Sequence, residues 1–120
     1  IHASAARNAA VRIVQLAGDG YNDEIIASQL ADTVDLIIFQ QKIGKSRIIT
    51  EVVELLEYEK ARKPLCRTLF RFEQLGMTKD GYVKGIHRRE QGISEKLAEK
   101  LAQMAVPQQQ IMHWASPPGI

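Results

Sequence analysis

Cysteine and long apolar runs are scarce in this sequence. The 120-residue chain has a single cysteine, Cys66, so it cannot form an intramolecular disulfide or a metal site built on several thiols. Low cysteine content is typical of proteins in a reducing cytoplasm. No apolar run approaches the roughly 20 residues of a membrane-spanning helix. The first residues also lack the charged and then apolar stretches of a secretory signal. We therefore expect a soluble, cytoplasmic protein.

Neither sign of charge dominates the chain. It has 16 basic and 14 acidic residues, which are mixed along its length and give a formal net charge of +2. Such a balance does not by itself indicate binding to nucleic acid or to an anionic membrane. Hydrophobic residues make up 45% of the chain and charged residues 25%, as in ordinary globular domains. The length fits one domain or a part of a larger one.

Motifs of self-contained enzyme sites are also missing. The sequence has no GxxxxGK[ST] phosphate loop, no GxGxxG turn, no GxSxG elbow and no HExxH zinc helix. His2, His87 and His113 are too far apart in sequence to suggest a shared metal ion. Cys66 lies among strand-like apolar residues, which favours a packed thiol over a nucleophile.

One acidic and one basic cluster remain. The carboxylates of EVVELLEYE are interpreted as the solvated face of a strand rather than as a catalytic group; they are Glu51, Glu54, Glu57 and Glu59. The basic cluster His87-Arg88-Arg89, with Lys84 nearby, leaves open a patch that contacts phosphates. However, Glu90 follows it directly and no aromatic residues interleave with it, so nucleic-acid binding is the least favoured function.

Two helices are predicted at the start of the chain. Residues 4–17 carry apolar side chains at helical spacing, with Ser4 as the N-cap and Gly18-Asp19-Gly20 as the stop. The expected buried residues of this helix are Ala6, Ala9, Ala10, Ile13, Leu16 and Ala17. Asn22 or Asp23 caps a second helix, DEIIASQLADTV. Its expected buried stripe consists of Ile26, Leu30 and Val34.

The pattern then changes to that of strands. VDLIIFQQKI and RIITEVVELLEYEK flank a turn at Gly44-Lys45-Ser46, which predicts an antiparallel hairpin. A polar break is expected at 59–64, EKARKP, ending at Pro64. A second hairpin is predicted from LCRTLFRFEQL and YVKGIHRRE around Asp80-Gly81, with the alternative that its first arm is partly helical.

The last part of the chain is predicted to be helical. ISEKLAEKLAQMAV is amphipathic, and its apolar face is expected to comprise Ile93, Leu97, Leu101 and Met104 or Ala105. Pro107 is expected to start a short helix, PQQQIMHW, followed by a frayed tail. The predicted class is therefore mixed, α+β or α/β, with two helices, antiparallel hairpins and C-terminal helices.

Three stretches resemble one protein family. IHASAARNAAVRI is similar to the end of the histidine box of type II and type IV secretion ATPases, with His2-Ala3 and Arg7-Asn8-Ala9 in register. SQLADTVDLIIFQQKIGKSRIITEVVEL resembles the helix and hairpin that follow in that family. LFRFEQLGMTKDGYVKGIHRR is similar to the tail of the branch that powers tight-adherence pili and conjugation-like systems. The resemblance covers residues 1–105 or so.

This resemblance implies the C-terminal part of a hexameric, RecA-like motor domain, followed by a terminal helix and tail at 106–120. Family members bind ATP and Mg²⁺ through a phosphate loop and acidic boxes that lie N-terminal to the histidine box. On this hypothesis His2 senses the γ-phosphate, and these residues alone bind no cofactor. The implied partners are the N-terminal remainder of the ATPase, further copies in the ring, and pilus or secretion platform proteins at the inner membrane. The implied location is the cytoplasm, peripheral to that membrane.

A hypothesis from another class stays open. The chain is then a free-standing protein-interaction or regulatory module without catalytic activity. The upstream reading frame distinguishes the two hypotheses. A phosphate loop encoded in frame before Ile1 favours the ATPase, whereas an initiator codon directly before Ile1 favours the module.

Overall fold

The chain folds as an α+β protein. The computed structural model describes residues 5–17, 22–60 and 63–116. These residues form four helices and a four-stranded antiparallel sheet in the order β1-β2-β3-β4. The helices are α1 (Ala5–Ala17), α2 (Asp23–Thr33), α3 (Glu95–Gln103) and α4 (Gln108–Ala115). The strands are β1 (Leu36–Ile43), β2 (Ser46–Lys60), β3 (Lys63–Met77) and β4 (Val83–Arg89). The mixed class expected from the sequence is confirmed.

The sheet is one continuous meander rather than two separate hairpins. The polar break expected at 59–64 is wrong, because β2 extends to Lys60, which pairs with Lys63 at the start of β3. Pro64 lies inside β3, opposite Tyr58. A proline is tolerated there because it is the second residue of its strand, where little of the ladder is lost. β3 is a strand throughout, so its first part is not helical.

The two predicted turns are confirmed, and they touch each other. Gly44 and Lys45 connect Ile43 to its partner Ser46, and Gly44 has a φ of 60°. Gly81 has a φ of 90° in the turn between β3 and β4. These positive angles favour glycine because it has no Cβ. The Lys45 N–H donates to the Gly81 carbonyl at 2.9 Å, which joins the tips of the two hairpins.

Helix α1 has the predicted bounds, and its buried face agrees in part with the prediction: Ala6 and Ala10 are buried as expected, but Val14 is buried instead of Ile13 and Leu16. Ala6, Ala10 and Val14 are buried, whereas Ile13 is 42% and Leu16 is 70% exposed. Small side chains at a spacing of four residues allow the helix to approach its neighbours closely. Ser4 and Gly18-Asp19-Gly20, the predicted cap and stop, lie outside the described residues.

Helix α2 shows the same shift of its buried face. Ala27 and Ala31 are buried, and the expected stripe of Ile26, Leu30 and Val34 is only half-buried. Asn22 occupies the N-cap position but makes no side-chain cap hydrogen bond. Both helices therefore bury alanines, together with Val14 of α1, and leave Leu16 of α1 and Ile25 of α2 exposed.

Helices α3 and α4 form a unit that packs back on the sheet. The Ser94 hydroxyl caps α3 by accepting from the Leu97 N–H at 3.2 Å. Leu97 is buried, but Met104 is 73% exposed, so it does not belong to the buried face. Pro107 precedes α4 directly, as predicted. The Ile93 N–H donates to the Trp114 carbonyl at 2.9 Å, and Arg89 donates to the carbonyls of His113, Trp114 and Ser116.

No helix in the described ranges is long and apolar enough to cross a membrane. The longest, α1, has 13 residues, whereas a span needs about 20.

A substitution at Gly92 tests the contact between the end of α4 and the segment before α3. A Cβ at Gly92 would lie 2.3 Å from the Ala115 carbonyl oxygen, whereas one at Gly76 meets nothing within 4 Å. We expect Gly92→Ala to lower the free energy of unfolding by about 1–3 kcal/mol, because backbone must shift to admit the methyl group. Gly76→Ala is the matched control and should change it by less than about 0.5 kcal/mol. Equal stabilities in urea denaturation would contradict this packing.

Candidate functional site at the start of α1

Strand β2 carries two buried carboxylates. Glu51 is 8% and Glu54 is 2% exposed, so the interpretation of these residues as a solvated face is wrong. Glu57 and Glu59 are exposed, as expected. The register of β2 with β1 is unbroken from Glu51 to Glu54, and successive side chains of a strand point to opposite faces. Glu51 and Glu54, three residues apart, therefore lie on opposite faces of the sheet.

Each buried carboxylate binds the start of one helix. Oε1 of Glu51 accepts from the Ala6 N–H at 3.0 Å. Glu54 accepts from the Ser94 N–H at 2.8 Å and also from the Ser94 hydroxyl. The first N–H groups of a helix have no partner within the helix, and the helix dipole favours negative charge at that end. The two carboxylates thus attach α1 and α3 to opposite faces of the same strand.

Two further hydrogen bonds hold α1 on the sheet. Nη2 of Arg7 donates to the Cys66 carbonyl at 3.0 Å, and the Tyr58 hydroxyl donates to the Ala10 carbonyl at 3.0 Å. Together with the Glu51 bond, these contacts form what we call the α1 anchor. The α1 anchor involves the first six residues of α1 and contacts both central strands, β2 and β3. It therefore fixes the position of α1 on the sheet.

Burial shapes the acid–base properties of the α1 anchor. It raises the pKa of the Cys66 thiol, and the nearby Arg7 guanidinium opposes this by a smaller amount. Burial, and secondarily the neighbouring Cys66, also raises the pKa of Tyr58. Both groups are therefore protonated at neutral pH. A protonated, half-buried thiol agrees with the predicted packed cysteine, because nucleophilic attack requires the thiolate.

The three histidines occupy different places relative to the α1 anchor. His2 lies outside the described residues, three positions before Ala5, where α1 begins. His87 lies on β4 and packs against Phe72 with a ring distance of 5.0 Å. His113 lies on α4 beside Trp114, at 5.3 Å. The described part of the chain contains no group of three or more His, Cys, Asp or Glu residues placed to hold a metal ion.

The basic cluster on β4 makes contacts within the protein. Arg88 forms an ion pair with Glu73. Arg89 donates to three carbonyls at the end of α4, at 2.7 to 2.8 Å, and its guanidinium lies 5.6 Å from the centre of the Trp114 ring. These cations already have partners, which leaves less of the cluster to bind phosphates.

An apolar cavity of about 450 Å³ lies between the sheet and the α3–α4 unit. Leu69 and Phe70 of β3 form part of its floor, and Leu97, Leu101 and Trp114 contribute to the helical side. An ion pair of 2.7 Å between Lys100 and Asp35 lies at its rim. The cavity is suited to an apolar group and holds no cluster of catalytic side chains.

In comparisons with known proteins, no family model and no curated protein matches the chain.

Removal of the Glu51 carboxylate tests the α1 anchor. We expect Glu51→Ala to lower the free energy of unfolding by about 1–3 kcal/mol, because the buried Ala6 N–H loses its partner. Glu57→Ala removes an exposed carboxylate from the same strand and should cost less than about 0.5 kcal/mol. Urea denaturation of both variants measures the difference. A cost of Glu51→Ala no greater than that of the control would show that the bond does not hold α1.

The raised pKa values predict a loss of stability at alkaline pH. Because folding favours the protonated forms, stability is unchanged below the ordinary values and falls as pH rises past 9.0 for Cys66 and past 10.0 for Tyr58. Tyr58→Phe should cost about 0.5–1.5 kcal/mol at neutral pH, through loss of the bond to Ala10, and should reduce the alkaline decline. Tyr82→Phe, at a residue 51% exposed, is the control and should leave the pH profile unchanged. Identical profiles of the free energy of unfolding for wild type and Tyr58→Phe would argue against this assignment.

Proposed function

We propose that the chain is the C-terminal segment of a hexameric, RecA-like ATPase that powers pilus assembly or the secretion of protein or DNA. The three stretches that carry the family resemblance follow the order of the folded elements. The first reaches Ile13 within α1, the second runs from α2 through β1 into β2, and the third runs from β3 into β4.

The observation that carries this proposal is the bond between Ala6 and the buried Glu51. A sensor of the γ-phosphate must hold a fixed position relative to the sheet, because catalysis of phosphoryl transfer depends on positioning and charge stabilisation. His2 lies three positions before Ala5, where α1 begins, and the Ala6 N–H in the first turn of α1 donates to Glu51 of the central strand β2 at 3.0 Å. On our proposal, the α1 anchor fixes the helix that follows the sensor segment on the sheet.

The described residues do not fit an ATP and Mg²⁺ site of their own. Gly44-Lys45-Ser46 reproduces the last three residues of a phosphate loop, but it lies in the turn between β1 and β2. A phosphate loop instead connects a strand to the start of a helix, where the N–H groups converge on the phosphates. On our proposal, ATP binding and hydrolysis belong to the part of the protein upstream of Ile1.

The proposal also defines partners and a location. The chain packs on the N-terminal remainder of the ATPase and, in the ring, on further copies of it. Platform proteins of a pilus or secretion system hold the ring at the cytoplasmic side of the inner membrane. The chain supplies the nucleotide sensor and the elements that support it, not the chemistry at the phosphates.

The apolar cavity favours a second candidate function. As an interaction or regulatory module without catalytic activity, the chain would bind an apolar side chain of a partner between β3 and the α3–α4 unit. This function requires no upstream domain.

The upstream reading frame and nucleotide binding distinguish the two. The motor predicts a phosphate loop encoded in frame before Ile1, and calorimetry should show that residues 1–120 bind no ATP in the micromolar range. In the intact protein, His2→Ala should lower the rate of ATP hydrolysis by roughly tenfold to a hundredfold, since one stabilising group at the phosphates is lost. His113→Ala, at an exposed residue of α4, is the control and should retain the wild-type rate of ATP hydrolysis.

Two results would contradict the motor. One is micromolar ATP binding by residues 1–120 alone, and the other is an initiator codon directly before Ile1. If the His2→Ala variant hydrolyses ATP at the wild-type rate, His2 is not a sensor. The family assignment would then still be decided by the upstream reading frame.

A further inference from the structure

The apolar cavity lies on one face of the sheet and extends to its edge. Helix α3 begins on the face that carries Glu54, and α4 packs beside α3. The cavity of about 450 Å³ lies between these helices and the sheet. Leu36 of β1, which pairs with Glu54, and Val52 of β2 both line it. Since β1 is an edge strand of the sheet, the cavity reaches that edge.

A row of side chains continues from the cavity along β1 and β2. Every second residue of a strand points to the same face, and paired residues of antiparallel strands share a face. The bulge between these strands leaves Thr50 of β2 unpaired, so β1 keeps its alternation. Beyond Leu36, the pairs on this face are Ile38 with Val52, Gln40 with Ile49, and Lys42 with Arg47. We call Leu36 and these three pairs the β1–β2 row, which extends about 20 Å along the strand.

The end of the β1–β2 row nearest the cavity is apolar and open to solvent. Leu36 and Ile38 of β1 are 42% and 57% exposed, and Ile49 of β2 is 42% exposed. Met104, directly after α3, lines the cavity and is 73% exposed. Large apolar side chains grouped in this way are typical of a site of protein association.

The other end of the β1–β2 row is basic. Lys42 and Arg47 lie directly opposite each other, and like charges in such a pair destabilise a sheet. In the described part of the chain, neither cation has an ion-pair partner. The surrounding segment, QQKIGKSR, contributes a third cation, Lys45, and no carboxylate. This end of the row therefore lacks the negative charge that would stabilise it.

Another pair of like charges shows how the protein balances cations elsewhere. Arg71 of β3 lies opposite Arg88 of β4. However, Arg71 forms an ion pair with Glu90 at 3.4 Å, and Arg88 forms one with Glu73. Those cations are neutralised within the protein, whereas the two at the basic end of the β1–β2 row are not. Because binding surfaces carry complementary charges, we expect a partner to supply the missing carboxylates.

We propose that the β1–β2 row and the cavity bind an amphipathic helix of a partner protein, with apolar side chains at one end and acidic residues at the other. The apolar side chains enter the cavity and cover Ile38 and Ile49, and the acidic residues pair with Lys42 and Arg47. A helix fits because the face of a sheet offers side chains for packing but no free backbone groups. A row of about 20 Å corresponds to about 13 helical residues at roughly 1.5 Å each.

This inference goes beyond both proposed functions, because neither specifies an acidic partner or a contact outside the cavity. It uses residues of β1, β2 and the α3–α4 unit alone. A motor and a free-standing module can both carry such a surface, so its test does not depend on ATP.

Binding of a designed peptide to the intact protein tests the proposal. The probe is a fluorescent helical peptide of about 13 residues, with leucines on one face and glutamates at one end, and anisotropy measures its Kd. We expect Lys42→Glu with Arg47→Glu to raise this Kd by about tenfold or more, because like charges then face each other. Lys60→Glu with Lys63→Glu reverses another cross-strand pair of cations, at the far end of β2, and should leave the Kd unchanged.

A charge swap separates lost contacts from misfolding. A second peptide carries lysines in place of the glutamates. It should bind the Lys42→Glu/Arg47→Glu variant about tenfold or more tightly than it binds the wild type, because opposite charges then meet. A misfolded variant would bind neither peptide.

The apolar end of the row has its own matched pair of variants. Ile38→Asp and Ile25→Asp alter residues that are each 57% exposed, the first on the β1–β2 row and the second on α2. Ile38→Asp should raise the Kd of the acidic peptide by about tenfold or more, since a buried apolar contact is lost. Ile25→Asp should leave it unchanged.

The proposal fails if the acidic peptide does not bind the wild type, or if the acidic and basic peptides bind it equally well. It also fails if Ile38→Asp leaves the Kd unchanged. Binding that appears only after dilution of the protein would overturn it as well, because a second copy would then occupy the β1–β2 row. None of these results bears on the motor, which ATP hydrolysis and the upstream reading frame decide separately.

Discussion

The attachment of two helices through buried carboxylates on β2 determines how the rest of the molecule is arranged. Glu51 and Glu54 are buried on opposite faces of the sheet, and each finds hydrogen-bond donors at the beginning of a helix. A buried carboxylate without such donors would be strongly unfavourable. Conversely, the helix N–H groups would be left without acceptors. The helices and the strand therefore depend on each other, and both layers of the fold are fixed at the centre of one strand.

Much of the secondary structure was predictable because local chemistry determines it. Glycines with positive φ mark both confirmed turns, β-branched runs mark the strands, and Ser94 and Pro107 mark the starts of α3 and α4. The polar stretch at 59–64 was mistaken for a break because lysines and glutamates at a hairpin tip are exposed whether or not the backbone pairs. Whether such a polar stretch is a strand or a break depends on pairing with a neighbouring strand, which the local sequence does not reveal.

The candidate site was less predictable, since it depends on contacts between distant residues. Glu51 and Glu54 are separated by two apolar residues, a spacing that places them on opposite faces of a strand and so argues against one solvated face. That helix starts cover both carboxylates depends on distant residues, and nothing local indicates it. Similarly, the inward faces of α1 and α2 were predicted only in part. Ala6 and Ala10 are buried as expected, but the larger residues expected beside them are exposed or half-buried, and Val14, Ala27 and Ala31 are buried instead. His2 entered through family resemblance alone and lies outside the described residues, three positions before the start of α1.

The contact between the two hairpin tips has a consequence for changes in chain length. Tips of hairpins are ordinarily the places where a fold accepts inserted residues at little cost. Here the Lys45 N–H binds the Gly81 carbonyl, and Gly44 forms a bridge with Tyr82, so each tip is part of the other's hydrogen bonding. An insertion in either tip would disrupt both. For the evolution of this domain, and for the placement of tags or fused domains, the two tips act as a single element of constrained length.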